Sequence, residues 1–158
     1  MIKIAILTVS DSCAQGQRED ISGQEIKTML DKDRFEIFEK KIVADNREAI
    51  ANELKYFSDK AGIDVVLTTG GTGLGPRDVT PEATASVCER IVPGLSEIIR
   101  IRGWKKTESA VLSRGIAGIR NKTLIINLPG NPKGVRESLE IILDVLPHAV
   151  QMMLGGGH

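Results

Sequence analysis

The chain has 158 residues, the usual size of one domain with a single hydrophobic core. It contains 21 basic and 21 acidic residues, so no broad positive field exists to attract nucleic acid or an anionic membrane. We therefore predict one domain over residues 1–158, in which any anion site is built locally.

The amino-terminal apolar run is too short to be a targeting or membrane segment. Polar residues from position 8 to 11 end it well below the length of a secretory or spanning segment. We therefore expect a cytoplasmic protein with no membrane partner. Cys13 and Cys88 belong to no CxxC pair, which predicts two reduced thiols. His148 and His158 have no second soft ligand nearby in sequence, which disfavours a zinc or iron site. A hard metal ion with oxygen ligands is the alternative.

Four segments are predicted to be strands. Residues 4–9, 65–69 and 124–128 are short, nearly continuous apolar runs, typical of strands that are covered on both faces of a parallel sheet. Residues 36–43 are more polar, which places that strand toward an edge.

Helical patterns separate the predicted strands. Ser22 and Glu25 have the spacing of a capping box at the start of the first helix. Further helices are predicted within residues 50–62, 80–102 and 135–146, the middle segment being divided at Pro93. This alternation predicts an α/β fold, a three-layer α/β/α sandwich with a mostly parallel sheet.

Each predicted strand ends in small or polar residues. Ser10 and Asp11 follow the first strand, Asp45 follows the edge strand, and two glycine-containing loops follow the others, at 69–78 and 129–132. Ligands bind outside the carboxyl ends of the strands in open parallel sheets, so we expect these four loops to form one site.

The two glycine-containing loops lead into helices. Thr80 precedes Pro81 and Asn131 precedes Pro132, and each pair predicts a capping side chain before a proline at the first helical position. Free N–H groups at such helix starts, with glycines that let a phosphate approach the backbone, are typical of anion sites. The sequence therefore predicts a phosphorylated, nucleotide-like ligand at residues 69–78.

The alternative is that these glycines only allow a tight turn. Residues 70–75 contain four glycines, which exceeds what a simple strand-to-helix turn needs and favours a ligand. The loop lacks the final Gly-Lys-Ser/Thr of a Walker A sequence and the GxGxxG spacing of a dinucleotide fold. Both a P-loop ATPase and a nicotinamide dehydrogenase are therefore disfavoured.

Three carboxylates are candidate ligands for a hard cation. Asp11, Asp45 and Asp78 lie just beyond a strand end or in the glycine loop, where a cation bridging phosphate oxygens needs them. Asp11 is explained equally well as a turn residue, and Asp45 as the cap of a helix beginning near Asn46. Asp78 is harder to explain structurally, so a functional role is favoured.

Three basic residues are candidates for the local positive charge that the balanced chain otherwise lacks. Arg77, beside Asp78 in the loop, is the strongest of them. Arg114 and Lys133 are explained equally well as solvated surface charges.

Taken in chain order, these motifs resemble those of molybdenum-cofactor biosynthesis proteins, specifically the molybdopterin adenylyltransferase (Mog/MoaB) family. The resemblance covers nearly the whole chain and includes the whole glycine loop. The matching motifs are Leu7-Thr8-Val9-Ser10-Asp11, Asp20-Ile21-Ser22-Gly23, Val43-Ala44-Asp45-Asn46, residues 69–83, Leu112-Ser113-Arg114 and Leu128-Pro129-Gly130-Asn131-Pro132.

The resemblance implies a molybdopterin-binding-domain fold and transfer of an adenylyl group from Mg-ATP to the terminal phosphate of molybdopterin, with release of pyrophosphate. It assigns Asp45 and Asp78 to catalysis and to Mg²⁺. It places Ser10, Asp11 and Ser113 toward the pterin. The nucleotide-binding residues that it implies are Thr69, Gly70, Gly71, Thr72, Gly73, Thr80, Pro129, Gly130 and Asn131.

The resemblance also implies an assembly and a pathway context. It implies a homotrimer, or a hexamer of two trimers, and hand-off of the product to a molybdenum-insertion protein. Phe35, Phe38 and Trp104 are candidate subunit contacts, although such residues are more often ordinary core or scattered surface residues. A catalytically idle molybdopterin-binding or scaffold protein is the alternative, and the intact sequence of residues 77–81 favours an active enzyme. A methyltransferase or dehydrogenase on a Rossmann-like sheet is a more distant alternative.

Overall fold

The computed structural model describes residues 1–157, which form a six-stranded sheet between two layers of helices. The strands are β1 (Ile2–Val9), β2 (Phe35–Val43), β3 (Val65–Thr69), β4 (Arg90–Ile91), β5 (Ala117–Arg120) and β6 (Thr123–Leu128). Their order in the sheet is β2-β1-β3-β6-β5-β4. The first four strands in this order are parallel, whereas β5 runs antiparallel to both of its neighbours. The predicted α/β sandwich with a mostly parallel sheet is confirmed.

Seven α-helices pack around this sheet in the described part of the chain. They are α1 (Asp11–Ala14), α2 (Ile21–Met29), α3 (Arg47–Lys55), α4 (Thr80–Val87), α5 (Pro93–Trp104), α6 (Pro132–Ile142) and α7 (Leu146–Met153). The single closing helix predicted over 135–146 is wrong, because a 3₁₀ turn at Leu143–Val145 separates α6 from α7. Pro147, in the first turn of α7, has no N–H with which to continue α6. No helix within residues 1–157 is both long and apolar enough to cross a membrane.

The burial of the strands follows the alternation of their side chains across the sheet. Ile4 and Ile6 of β1 pack on the side that carries α2, α5, α6 and α7. Ala5 and Leu7 of the same strand pack on the opposite side, under α3 and α4. Because successive residues of a strand point to opposite faces, a strand buried on both sides must be apolar throughout. The half-exposed β2 lies at the edge, as predicted.

Helix α2 begins differently from the prediction. Its N-cap is Asp20, whose Oδ1 accepts a hydrogen bond from Gly23 N at 2.9 Å. Ser22 lies inside the first turn and its hydroxyl donates to Gly130 O at 3.0 Å. The predicted capping box at Ser22 is therefore wrong, and Ser22 instead ties α2 to the loop after β6.

Helix α3 is capped by Asn46, whose Oδ1 accepts a hydrogen bond from Ala49 N at 2.9 Å. Asp45, the residue proposed as an alternative cap, lies one position earlier and faces the loop after β1 instead. Its Oδ2 accepts a hydrogen bond from Asp11 N at 2.9 Å. The carboxylate of Asp45 is therefore not used to start the helix.

The Asn46 cap leads to a stability prediction. Asn46→Ala removes the acceptor for Ala49 N, so the free energy of unfolding should fall by about 1 kcal/mol. Asn46→Asp retains a capping oxygen and should retain most of the stability. Urea denaturation measures both variants, and an unchanged midpoint for Asn46→Ala would show that this cap contributes nothing.

Candidate functional site

The glycine loop after β3 begins with two residues in left-handed backbone conformations. Gly70 has φ +98° and Gly71 has φ +68°, values that side-chain-bearing residues rarely adopt. A Cβ atom at Gly70 would lie 2.2 Å from Val9 O, and one at Gly71 would lie 2.3 Å from Thr80 Oγ1. Both positions therefore require glycine for backbone conformation and for space.

Thr80 holds this loop against the start of α4. Its hydroxyl donates to Gly70 O at 2.9 Å, and its backbone N–H donates to Gly71 O at 3.1 Å. Thr80 is fully buried and is the first residue of the helix, while Val79 occupies the N-cap position and provides no side-chain cap. The predicted cap at Thr80 is wrong, because its hydroxyl bonds back to the loop rather than to the N–H groups of the helix.

The loops after β3 and β6 touch each other. Strands β3 and β6 are parallel neighbours, and Thr69 Oγ1 donates to Pro129 O at 2.5 Å. A Cβ atom at Gly130 would lie 3.2 Å from Gly70 Cα, so the two backbones are in van der Waals contact. The predicted convergence of these loops at one edge of the sheet is confirmed.

Helix α6 begins at this contact as the sequence predicts. Asn131 is its N-cap and its Oδ1 accepts from Gly134 N at 2.7 Å, with Pro132 as the first helical residue. The positive end of the helix dipole therefore lies beside the glycine loop, an arrangement that favours an anion.

A cavity of about 570 Å³ opens between the glycine loop, the start of α6 and the segment before β5. This volume lies within the range of small-molecule sites. The predicted site residues that line it are Gly71, Thr72, Gly73, Asp78, Ser113, Pro129, Gly130 and Asn131. Its far wall is largely apolar, with Ile99, Leu112 and Ile141 among the lining residues. The cavity therefore combines the polar groups of the glycine loop with an apolar wall.

The remaining predicted residues lie outside this cavity. Ser10, Thr69 and Gly70 border a second pocket of about 80 Å³, which shares Gly130 with the first. Ser10 and Ser113 therefore do not line a common pocket within residues 1–157, although the family resemblance implies that both lie toward the pterin. Thr80 is buried beneath the loop.

Asp11 and Asp45 form a reciprocal pair between the loops after β1 and β2. Asp11 N donates to Asp45 Oδ2 at 2.9 Å, and Asp45 N donates to Asp11 Oδ1 at 3.0 Å. Arg77 adds a bidentate contact to Asp11, from Nε at 2.7 Å and from Nη2 at 3.1 Å. This hydrogen-bonded guanidinium holds the pKa of Asp11 below its ordinary value. The positive charge of Arg77 is thus already paired within the protein.

Asp45 has the opposite electrostatic environment. Burial raises the pKa of Asp45 above its ordinary value, and the charges of Asp11 and Asp78 add to that increase. Its Oδ1 lies 3.3 Å from the Cβ position of Gly71, so the carboxylate reaches the glycine loop. The charged form of Asp45 is therefore disfavoured relative to that of a solvent-exposed carboxylate.

Asp78 lies in a notch that the glycine loop forms. Its Oδ2 accepts a hydrogen bond from Gly75 N at 2.9 Å. Cβ atoms at Gly73 and Gly75 would lie 3.0 and 2.9 Å from the same oxygen. These two glycines therefore leave room for the carboxylate, which lines the large cavity.

Asp45 and Asp78 are the residues best suited to hold a hard cation. Their charges interact, and each has one carboxylate oxygen that accepts no hydrogen bond from any residue in 1–157. No group of three potential ligands among His, Cys, Asp and Glu occurs in this part of the chain. The donor set therefore fits an oxygen-seeking cation that takes its other ligands from phosphate and water.

The other two basic residues that are candidates for anion binding, Arg114 and Lys133, differ in their contacts. Arg114 is bound to carbonyl oxygens of the glycine loop and to Glu82, so its charge is paired internally. Lys133 lines the cavity at the start of α6, and its side chain is largely exposed, with Glu137 at 3.9 Å. Lys133 is the better placed of the two to meet an anion.

Residues 5–148 match the family described as "Probable molybdopterin binding domain". The chain belongs to this family. The family predicted from the motifs is thereby confirmed.

Individual relatives are similar over almost the full chain. A molybdopterin adenylyltransferase from Helicobacter pylori strain J99 is 45% identical over 156 residues, covering 98% of this chain and 89% of the relative. The Drosophila melanogaster molybdenum cofactor synthesis protein cinnamon is 42% identical over 96% of this chain, which corresponds to 26% of that protein. The crystal structure of the molybdopterin biosynthesis enzyme MoaB from Thermus thermophilus is 49% identical, with a TM-score of 0.93 and 98% coverage of both chains.

The left-handed backbone conformation of Gly71 and the lack of space for a Cβ atom there can be tested separately. Gly62 has a similar φ of +65°, but a Cβ atom there would meet nothing within 4 Å. Alanine at either position should cost roughly 1–2 kcal/mol of stability through backbone strain. Gly71→Ala should cost more, because Thr80 Oγ1 must move, and it should also weaken ATP binding.

Calorimetric titration with ATP and urea denaturation of both variants test this expectation. Gly62→Ala should bind ATP as the unsubstituted chain does. Unchanged ATP affinity in Gly71→Ala would contradict a role for the loop backbone in phosphate binding.

Proposed function

We propose that this protein is a molybdopterin adenylyltransferase, which transfers AMP from Mg-ATP to the terminal phosphate of molybdopterin and releases pyrophosphate. The observation that carries the proposal is the large cavity bounded by the glycine loop, the start of α6 and Asp78. The name of the Helicobacter pylori relative, which matches almost the whole of both chains, supports it.

In this proposal the phosphates of ATP bind to backbone rather than to side-chain cations. Gly71, Thr72 and Gly73 line the cavity on one side, and Pro129, Gly130 and Asn131 line it beside the start of α6. Exposed N–H groups and the helix dipole favour anions at such places. Thr69 and Thr80 act indirectly, because their hydroxyls donate to backbone carbonyls and fix the two loops.

The reaction forms one phosphorus–oxygen bond and breaks another. An oxygen of the terminal phosphate of molybdopterin attacks the α-phosphorus of ATP, and the bond from that phosphorus to the pyrophosphate oxygen breaks. The protein's contribution is to hold two anions in line and to lower their mutual repulsion. Ile99, Leu112 and Ile141 give this space an apolar wall.

We assign Asp45 and Asp78 as the residues that would hold Mg²⁺. A bound Mg²⁺ would neutralise charge on the phosphates and on the departing pyrophosphate. The raised pKa of Asp45 agrees with this role, because a nearby cation favours the charged form of a carboxylate that burial disfavours. Asp11 acts on Asp45 through their reciprocal hydrogen bonds, which fix its position.

For the pterin, we propose that Ser113 makes the direct contact, because it lines the large cavity. Ser10 borders the smaller pocket instead, so a direct pterin contact from Ser10 would require the ligand to reach that pocket. Asp11 lines neither pocket and is bound to Asp45 and Arg77.

The carboxylate assignment predicts a specific loss of rate. Asp78→Asn and Asp45→Asn should each lower the rate of pyrophosphate release by roughly 10² to 10³, the usual effect of removing one preorganised electrostatic contact. The affinity for molybdopterin should change by no more than a few fold, because the charge matters most in the transition state. Asp144→Asn is the control, since the side chain of Asp144 is 91% exposed and remote in sequence from the loops.

Steady-state pyrophosphate release with purified molybdopterin and Mg-ATP measures these effects. Normal turnover in both the Asp45 and Asp78 variants would rule out the two-carboxylate mechanism. Binding of molybdopterin and ATP by the unsubstituted protein without pyrophosphate release would support the idle scaffold instead.

We also propose a homotrimer, or a hexamer of two trimers, located in the cytoplasm and passing its product to a molybdenum-insertion protein. Phe38 and Trp104 leave 47% and 49% of their surface exposed and are available as contacts. Phe35 belongs to the core, with 3% exposed, and is excluded as a contact.

Light scattering tests the assembly. We expect the mass of three or six chains at working concentration, and Trp104→Ala should shift it toward the monomer if that face is buried between subunits. A monomeric mass for the unsubstituted protein would contradict the proposed assembly.

A further inference from the structure

Arg114 joins three separate points of the site through one guanidinium group. Nε donates to Gly73 O at 2.8 Å, Nη2 donates to Asp78 O at 2.6 Å, and Nη1 donates to Glu82. Its backbone N–H also donates to Thr72 O at 2.8 Å. The residue thus contacts both the outgoing and the returning arms of the glycine loop.

Glu82 anchors the far end of this arrangement. It lies in the first turn of α4, the helix into which the loop leads, and its Oε1 accepts from Arg114. The guanidinium holds the pKa of Glu82 below its ordinary value. A planar guanidinium presents its donors in a fixed fork, so the two loop carbonyls and the helix are held at set separations.

These contacts of Arg114 surround Asp78, whose carboxylate lies between Gly73 and Gly75. Arg114 binds the carbonyl of Asp78 on one side of this notch and the carbonyl of Gly73 on the other. We propose that Arg114 is a positioning residue for adenylyl transfer, which fixes the Asp78 carboxylate by clamping the backbone of residues 73–78. This inference rests on the proposed function of the same site.

The location of Arg114 separates this role from direct phosphate binding. Its neighbour Ser113 lines the large cavity, whereas Arg114 lies behind the loop and is not among the lining residues. Arg100 of α5 reinforces the segment, since its Nη1 donates to Gly115 O at 2.8 Å. Arg114 therefore acts on the reaction through the loop.

The chain contains a matched control in Arg120. Its guanidinium also makes three contacts, from Nε and Nη2 to Asp59 at 3.0 and 2.7 Å and from Nη1 to Val87 O at 2.9 Å. These partners lie away from the glycine loop. Lysine keeps the charge at either position but cannot span three acceptors, so Arg114→Lys and Arg120→Lys remove equivalent forks.

The test combines a structural and a kinetic measurement on the full chain. The amide proton of Gly75 reports the Asp78 carboxylate directly, because it is hydrogen-bonded to Asp78 Oδ2. Its chemical shift in Asp78→Ala marks the state in which that bond is absent. We expect Arg114→Lys to move the Gly75 resonance toward this reference and Arg120→Lys to leave it in place.

In pyrophosphate release, Arg114→Lys should lower kcat by roughly 10², the scale of loss that a misplaced catalytic group produces. KM for ATP and for molybdopterin should stay within a few fold. Arg120→Lys should retain kcat, even with a comparable loss of thermal stability. Glu82→Gln retains the acceptor for Arg114 and should keep the Gly75 resonance near its unsubstituted position.

Each outcome decides the inference. If the Gly75 resonance does not move in Arg114→Lys, Arg114 does not position Asp78. If the resonance moves but kcat is unchanged, this positioning does not contribute to the reaction. Equal losses of kcat in the two lysine variants would show a general effect of stability. Absence of pyrophosphate release from the unsubstituted protein would defeat the proposed function alone, because the Gly75 resonance still tests the clamp.

Discussion

The backbone contact between Gly70 and Gly130 is the constraint on which the site depends. Thr69 and Leu128 are register partners in adjacent parallel strands, so the residues that follow must pass each other at the spacing of two strands. A side chain on either glycine would enter the other backbone or that of Val9. Because both residues lack a Cβ atom, the glycine loop and the start of α6 come together in one wall of the cavity.

The electrostatics of the site bear on how a chain of balanced charge would accommodate the phosphates of the proposed substrates. Arg77 is paired with Asp11 and Arg114 with Glu82, so neither guanidinium is left as an open anion receptor. In the proposed function, anion binding falls instead to backbone N–H groups and the dipole of α6. The raised pKa of Asp45 agrees with the proposal that a cation accompanies these phosphates.

The sequence predicts the four parallel strands, the edge position of β2 and the meeting of the loops, because these depend on burial and on the rule that parallel strands share one functional edge. It does not predict the short antiparallel strands β4 and β5. The sequence does not predict which of two nearby residues caps a helix. Asp20 and Ser22 are both good caps, as are Asp45 and Asn46. Only the hydrogen-bond geometry of the folded chain decides between them.

The rule that ligands bind at the carboxyl ends of parallel strands does not predict a role for Ser113 or Arg114, because neither residue follows a predicted strand. Strand β5 runs antiparallel to β6, so the residues that precede β5 lie at the edge where the residues after β3 and β6 lie. Family resemblance indicated Ser113, whereas the clamp at Arg114 is visible only in the structure. The apolar wall is also hidden in the sequence, since Ile99 and Ile141 have the spacing of ordinary core residues.

The Gly70–Gly130 contact also determines when the site can exist during folding. Its flanking hydrogen bond joins Thr69 and Pro129, which are 60 residues apart along the chain. Contacts so distant in sequence form only after the intervening chain has closed a long loop. A chain in which β3 and β6 have not yet paired therefore lacks this contact and the cavity wall that it forms. If the proposed ligands bind between these loops, their binding energy would stabilise the folded domain as a whole.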